Sequence, residues 1–136
     1  MSRIRSSGSR IFEKLLRESG IDFFNGAQGR ILYVLWQSGS MNITQISKQT
    51  SLTKSTLTKM LDRMEGIGLI RRVQDAGNRR QTIIEITEVA KSYSDQYKQV
   101  SDKMNDYYYN GFSKEEIVEF EKQLVRILKN LEETEL

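Results

Sequence analysis

The chain has no cysteine, no histidine and no proline among its 136 residues. Without cysteine there can be no disulfide, no thiolate metal site and no thiol redox sensor. Without cysteine and histidine together, the usual zinc ligands, the Ser-His and Cys-His nucleophile pairs and the commonest general base are all gone. Carboxylate or lysine chemistry is what remains for an enzyme, and nothing in the sequence groups those residues. No metal and no cofactor is expected. No apolar run is long enough for a membrane-spanning helix, and the mean hydropathy is -0.55. The stretch Met1-Ser2-Arg3-Ile4-Arg5-Ser6-Ser7-Gly8 has no hydrophobic signal core, so no membrane partner and a cytoplasmic location are expected.

What is present is an uneven charge. The formal net charge is +3. Residues 1–41 carry six Lys/Arg against three Asp/Glu, residues 42–87 carry eight against four, and residues 88–136 carry seven against eleven. A basic middle beside an acidic tail points to a polyanion partner for the middle only, the bland alternative being a solvated surface. A chain of 136 residues is most simply one domain with a real core. No internal repeat, low-complexity segment or long linker divides it.

The middle holds the most informative stretch, Asn42 to Thr87. Leu57, Met60, Leu61 and Met64 fall at i, i+3, i+4 and i+7, one apolar stripe on a helix. Ser55, Thr58, Lys59 and Arg63 occupy the opposite face. A helix buried on one side and carrying short donors and cations on the other suits the major groove of DNA. Asn42 and Gln45 have capping spacing for a short helix with Ile43 and Ile46, ending near Gln49. Thr50-Ser51-Leu52 makes a turn, and Thr53 is a plausible N-cap for the second helix. Two short helices across such a turn match a helix-turn-helix. Gly66 and Gly68 stop the second helix, Gly68 as a left-handed C-cap. Leu69–Asp75 and Arg79–Ile86 are rich in β-branched residues around Ala76-Gly77-Asn78, which predicts a hairpin. Its arms carry Arg71, Arg72, Arg79 and Arg80, so it reads as a basic wing, the alternative being a solvated edge guarded by charge.

The flanks are helical. Residues 3–18 place Ile11, Phe12, Leu15 and Leu16 on one side. Asn25 and Gln28 cap a helix carrying Ile31, Leu32, Leu35 and Trp36, ended by Ser38-Gly39-Ser40. Trp36 has two readings, core packing and ligand stacking. From Thr87, a further N-cap, helical spacing through Val89, Tyr93, Val100, Met104 and Tyr107 predicts one long helix to about Asn110. Ser113 and Glu116 form a capping box for the last helix. There Ile117, Phe120, Leu124, Ile127 and Leu131 repeat every seven residues, a seam for another helix.

Three segments together resemble the MarR family of winged helix-turn-helix regulators. They are Ser55–Arg72, with Asp62, Arg63, Gly68, Leu69 and Ile70 in order, the wing Asp75-Ala76-Gly77-Asn78-Arg79-Arg80 through Thr87, and Phe112-Ser113-Lys114-Glu115-Glu116. The resemblance covers nearly the whole chain. Asn78 stands where the family usually has an Asp that pairs with Arg. Ser47 and Ser51 replace common Ala and Gly, Ile86 replaces Leu, and the family's cysteine-oxidation sensing is excluded. The lack of proline removes one rigidifier of the wing.

The resemblance implies a mainly α fold with a small β-hairpin wing (α+β): a winged helix-turn-helix with a helical dimerisation arm. Residues 1–136 would form one such domain, with 26–88 the DNA-binding part and 1–25 and 89–136 the dimerisation part. It implies a homodimer that binds double-stranded DNA at an inverted-repeat operator, as a transcriptional repressor. Ser55, Thr56 and Lys59 are then expected to read base edges, and Thr53, Lys54 and Thr58 to contact phosphates. Arg80 aligns with the family's wing-tip arginine and is expected in the minor groove, with Arg79 and Arg72 on phosphates. A small aromatic or anionic effector is a further implied partner, in a pocket drawn from Trp36, Tyr107, Tyr108, Tyr109, Phe112 and Phe23 or Phe24; the alternative for these rings is arm and core packing. Two other function classes stand beside this one, a winged-helix protein-interaction module without DNA binding and an enzyme.

Overall fold

The helix starts that the sequence marks with a side-chain acceptor are helix starts in the structure. The computed structural model describes residues 1–135. In chain order the elements are α1 (Ser2–Glu18), α2 (Gly26–Ser38), β1 (Met41–Asn42), α3 (Ile43–Thr50), α4 (Lys54–Gly66), β2 (Ile70–Asp75), β3 (Asn78–Ile86), α5 (Glu88–Ser92), α6 (Ser94–Tyr108) and α7 (Lys114–Thr134). Asn25 with Gln28, Asn42 with Gln45 and Ser113 with Glu116 each form a reciprocal capping box, at α2, α3 and α7. Thr53 and Thr87 cap α4 and α5 through their hydroxyls. Each cap satisfies amide donors that the first turn leaves without a carbonyl. The fold is mainly α with one small antiparallel sheet of strand order β1-β3-β2.

The chain divides into two compact units, Met1–Ser101 and a second from Asp102 onward, the boundary falling within α6. In the first unit, Leu57, Leu61 and Met64 of α4 are fully buried and Met60 is half-buried. They pack α4 against α3 and β2. Ile31, Leu32 and Leu35 of α2, Ile46 of α3 and Ile84 of β3 are buried with them, as are Leu16, Ile21, Leu69 and Ile70. Each such side chain contributes roughly 1.5–3 kcal/mol by leaving water. Helix α4 ends in a paired motif: Gly68 N–H donates to Glu65 O at 3.1 Å and Leu69 N–H to Met64 O at 2.9 Å. Gly68 sits at φ +82, which a side chain resists.

Helix α1 buries Gly8 in its first half and Leu15 and Leu16 in its last turns, while Ile11 stays 41% exposed. It is tied to α2 by a contact the spacing gave no sign of. Glu13 Oε1 accepts from Gly26 N–H at 2.7 Å. Strand β1 was not expected either. Met41 pairs with Ile84 and Asn42 with Ile83, so two residues before α3 become the third strand. The long helix expected from Thr87 is interrupted at Tyr93. Ser92 Oγ donates to Val89 O at 2.6 Å, the carbonyl that Tyr93 N–H would take in a regular helix. Tyr93 N–H bonds instead to Ala90 O at 3.2 Å, one residue short. In the second unit, Tyr109, Phe112 and Phe120 meet at 5.7–6.4 Å between ring centroids around the corner made by Gly111. No residue of α7 is buried.

The helix-turn-helix turn carries a conformational cost. Ser51 is left-handed, at φ 59 and ψ 20. Ser47 Oγ donates to Leu52 O at 2.6 Å and Thr50 Oγ1 to Ile46 O at 2.8 Å, and these bonds hold the turn closed. Ser51→Gly should therefore raise unfolding free energy in urea by about 1 kcal/mol, because the left-handed conformation loses its steric penalty. An unchanged or lower midpoint would show that Ser51 is not strained.

Candidate nucleic-acid interface

The buried stripe of α4 fixes which side of the helix meets solvent. Ser55, Thr56, Thr58, Lys59 and Arg63 are exposed, with Thr53 and Lys54 at the start. Thr53 Oγ1 accepts from Thr56 N–H at 3.3 Å and donates to Thr56 Oγ1 at 3.0 Å. Its oxygen also lies 3.3 Å from Ser55 Oγ. Thr53 therefore spends its only proton on the cap, whereas Thr56 accepts there and keeps its own proton for an outside acceptor. Thr58 Oγ1 donates to Lys54 O at 2.8 Å. Its proton is bonded to its own helix in this structure.

The wing is an irregular ribbon at its tip. Gln74 pairs with Thr82 and Asp75 with Asn78, so Arg79, Arg80 and Gln81 have no partner opposite them. The extra length of β3 thus carries the two tip arginines, both exposed. The tip is held by local bonds. Gly77 N–H donates to Asp75 Oδ1 at 3.0 Å and Arg80 N–H to Asn78 Oδ1 at 3.1 Å. The Gln74 side-chain amide donates to Arg79 O. Asn78 thus orders the tip without a charge, and no ion pair is needed there.

The cations divide into two groups. Lys54, Lys59, Arg63, Arg79 and Arg80 have no ion pair among the described residues. Arg71 and Arg72 do. Arg71 Nε lies 3.2 Å from Glu85 Oε1, its cross-strand neighbour. Arg72 Nη2 lies 2.8 Å from Asp62 Oδ1 and Nη1 lies 3.0 Å from Glu65 Oε1. Arg72, expected on phosphate, has its guanidinium held by these two carboxylates in the structure. Asp62 and Glu65, three apart on one helix face and followed by Arg72, were the signal that could have shown this. Among the described residues no group of three or more carboxylates could hold a metal ion.

The MarR family profile matches residues 24–82, the span from the start of α2 into β3. This stretch of the chain is similar to the MarR family. A curated relative, the HTH-type transcriptional repressor IacR of Pseudomonas putida, is 24% identical over 132 residues, 97% of this chain and 77% of IacR. Among solved structures, a mutant of MarR from E. coli complexed with operator DNA has a TM-score of 0.83 at 20% identity, covering 93% of this chain and 89% of MarR. The structure describing regulation of DNA binding of Bordetella bronchiseptica BpsR by 6-hydroxynicotinic acid also has a TM-score of 0.83, at 17% identity, covering 93% of this chain and 88% of BpsR. These likenesses show the winged-helix fold.

The rings expected to line an effector pocket are placed as follows. Trp36 is half-buried, and its Nε1–H donates to Ala90 O at 3.2 Å. It packs at 5.3 Å from Tyr97 and 6.5 Å from Phe24 between ring centroids. Trp36, Phe23 and Phe24 belong to the first unit, and Tyr107, Tyr108, Tyr109 and Phe112 to the second. Tyr107 and Tyr108 are about half exposed, at 53% and 47%. Tyr97 closes the cluster in the first unit. A Cβ on Gly29 would lie 2.5 Å from Tyr97 Cε2, so only glycine fits beneath the ring. Burial pushes the Tyr97 hydroxyl up to about 12, against the opposing pull of Arg30. Its neutral form is therefore the folded form. The stability it lends is complete below the ordinary tyrosine value of 10.0 and is lost as pH rises toward about 12. An ultraviolet titration should show one tyrosine ionising last, near 12, and Tyr97→Phe should remove that step.

Proposed function

We propose that this chain is a cytoplasmic transcriptional repressor that binds an inverted-repeat operator as a homodimer. Residues 1–136 work as one MarR-like domain, with 26–88 gripping DNA and 1–25 and 89–136 supplying the dimer arm. The observation that carries the DNA-binding reading is the set of cations left without carboxylate partners. Lys54, Lys59 and Arg63 lie on the outward face of α4, and Arg79 and Arg80 on the wing tip. Ser55, Thr56 and Lys59 read base edges in the major groove. Lys54 and the amino end of α4 hold phosphate, with Arg79 beside them. Thr53 and Thr58 shape that end through their hydroxyl bonds. Arg80 enters the minor groove, where narrow A·T-rich DNA concentrates negative potential.

The dimer reading rests on α7. Phe120, Leu124, Ile127 and Leu131 repeat at heptad spacing and stand 40–64% exposed. An apolar stripe of that length is covered in a soluble protein, and a second copy supplies matching helices. A two-fold dimer reads half-sites about one helical turn, roughly 10 bp, apart. A small aromatic or anionic effector completes the proposal, supported by the regulation of BpsR by 6-hydroxynicotinic acid.

A dimer neutralising about eight phosphates gives a slope of about -7 for log K against log salt. Arg80→Ala should weaken operator binding by roughly 1–2 kcal/mol and leave dimerisation intact; full retained affinity in a titration removes Arg80 from the interface. A flat salt response on duplex DNA would instead favour a protein-interaction module. Leu124→Glu should convert the dimer to monomer in sedimentation at micromolar concentration and lower operator affinity with it. A variant that stays dimeric would place the subunit contact elsewhere.

A further inference from the structure

Asp62 and Glu65 are carboxylates on the helix that carries the DNA-facing cations. Simple electrostatics makes them a hindrance to binding a polyanion. Their contacts give them another task. Both oxygens of Glu65 are used on one residue of the wing. Oε1 takes Arg72 Nη1 at 3.0 Å, and Oε2 accepts from the Arg72 backbone N–H at 3.1 Å. Asp62 Oδ1 takes Nη2 at 2.8 Å. β2 is an outer strand of the sheet, so this N–H lies on an edge that the ladder leaves open. The Arg72 side chain is 24% exposed while Asp62 is 63% exposed. The arginine is thus drawn onto the helix.

We infer that Asp62 and Glu65 are positioning residues: through Arg72 they lock the wing to α4 at the offset at which helix and wing tip engage one duplex. The inference rests on the DNA-binding function proposed above. An exposed ion pair alone does little, but here a planar guanidinium meets two carboxylates and one of these also holds the backbone. The lock joins the two elements that carry all the unpaired cations of the interface. Loosening it leaves every DNA contact residue in place and spoils only their spacing.

This gives a test in which the sign of the effect decides. The probes are the inverted-repeat duplex selected from random DNA by the wild-type full-length chain, and a random duplex of equal length. Removing a negative charge by Glu65→Gln or Asp62→Asn should raise affinity for both duplexes if these residues are mere bystanders. The lock predicts the opposite for the selected duplex, a loss of about tenfold, with affinity for the random duplex equal or higher. Arg72→Gln should lose a similar factor while keeping the wild-type salt slope, because a lost phosphate contact would lower that slope by about 0.9 per subunit. The double variant Glu65→Gln with Arg72→Gln should be no weaker than either single one. Equal gains on both duplexes, or a reduced slope for Arg72→Gln, overturn the lock.

A second measurement needs no DNA. Amide hydrogen exchange of the free protein should be slow at Arg72 and become fast in Glu65→Ala, with Val73 and Ile84 unchanged. Fast exchange at Arg72 in the wild type refutes the lock on its own. If the wild type selects no duplex at all, the DNA-binding function fails, and slow exchange at Arg72 still establishes the lock as a feature of the fold.

Discussion

The burial of Leu57, Leu61 and Met64 sets the roll of α4 about its own axis, and the interface depends on that roll. A helix turns about 100° per residue, so a register error of one position would carry Thr58 or Lys59 toward the core and an apolar side chain toward solvent. The three side chains together outweigh any single polar contact on the outer face. The chemistry offered to DNA is thus fixed from behind, by groups that never touch it. The same logic holds at the wing, where Ile84 is fully buried and the arginines lie beyond it on the unmatched segment.

The electrostatic character of the surface follows from subtraction. The middle of the chain is basic, but a basic count does not say which cations are available. Arg71 and Arg72 are held within the fold, and five of the six others, all but Lys48 of α3, lie on the outer face of α4 and at the wing tip. Hydroxyl groups obey the same accounting. Thr53, Thr56 and Thr58 look equivalent in sequence, yet one caps, one keeps a free proton and one is bonded to its own backbone.

Much of this was legible from residue order, and the legible part is local. Asn25, Asn42, Thr53, Thr87 and Ser113 mark helix starts because a cap needs only three residues of context. Gly68 marks a helix end because few other residues accept its φ. The hairpin and its turn were legible for similar reasons. What spacing did not reveal depends on distant partners or on protons. The tie from Glu13 to Gly26 spans thirteen residues. Arg72 looked like any surface arginine until the fold brought two carboxylates to it. At the break at Tyr93 a serine hydroxyl bonds the Val89 carbonyl, a detail that hydrophobic periodicity cannot register.

Asn42 does two jobs at once. Its backbone pairs opposite Ile83 in the sheet, and its side chain closes the first turn of α3. If β1 slipped by one residue along β3, Met41 would leave the core, and the asparagine would be turned away from the turn it closes. The penalties fall on the same error, so misalignment is rejected twice. Two residues of strand, too short to be stable alone, in this way proofread the seating of the whole ribbon against the paired helices.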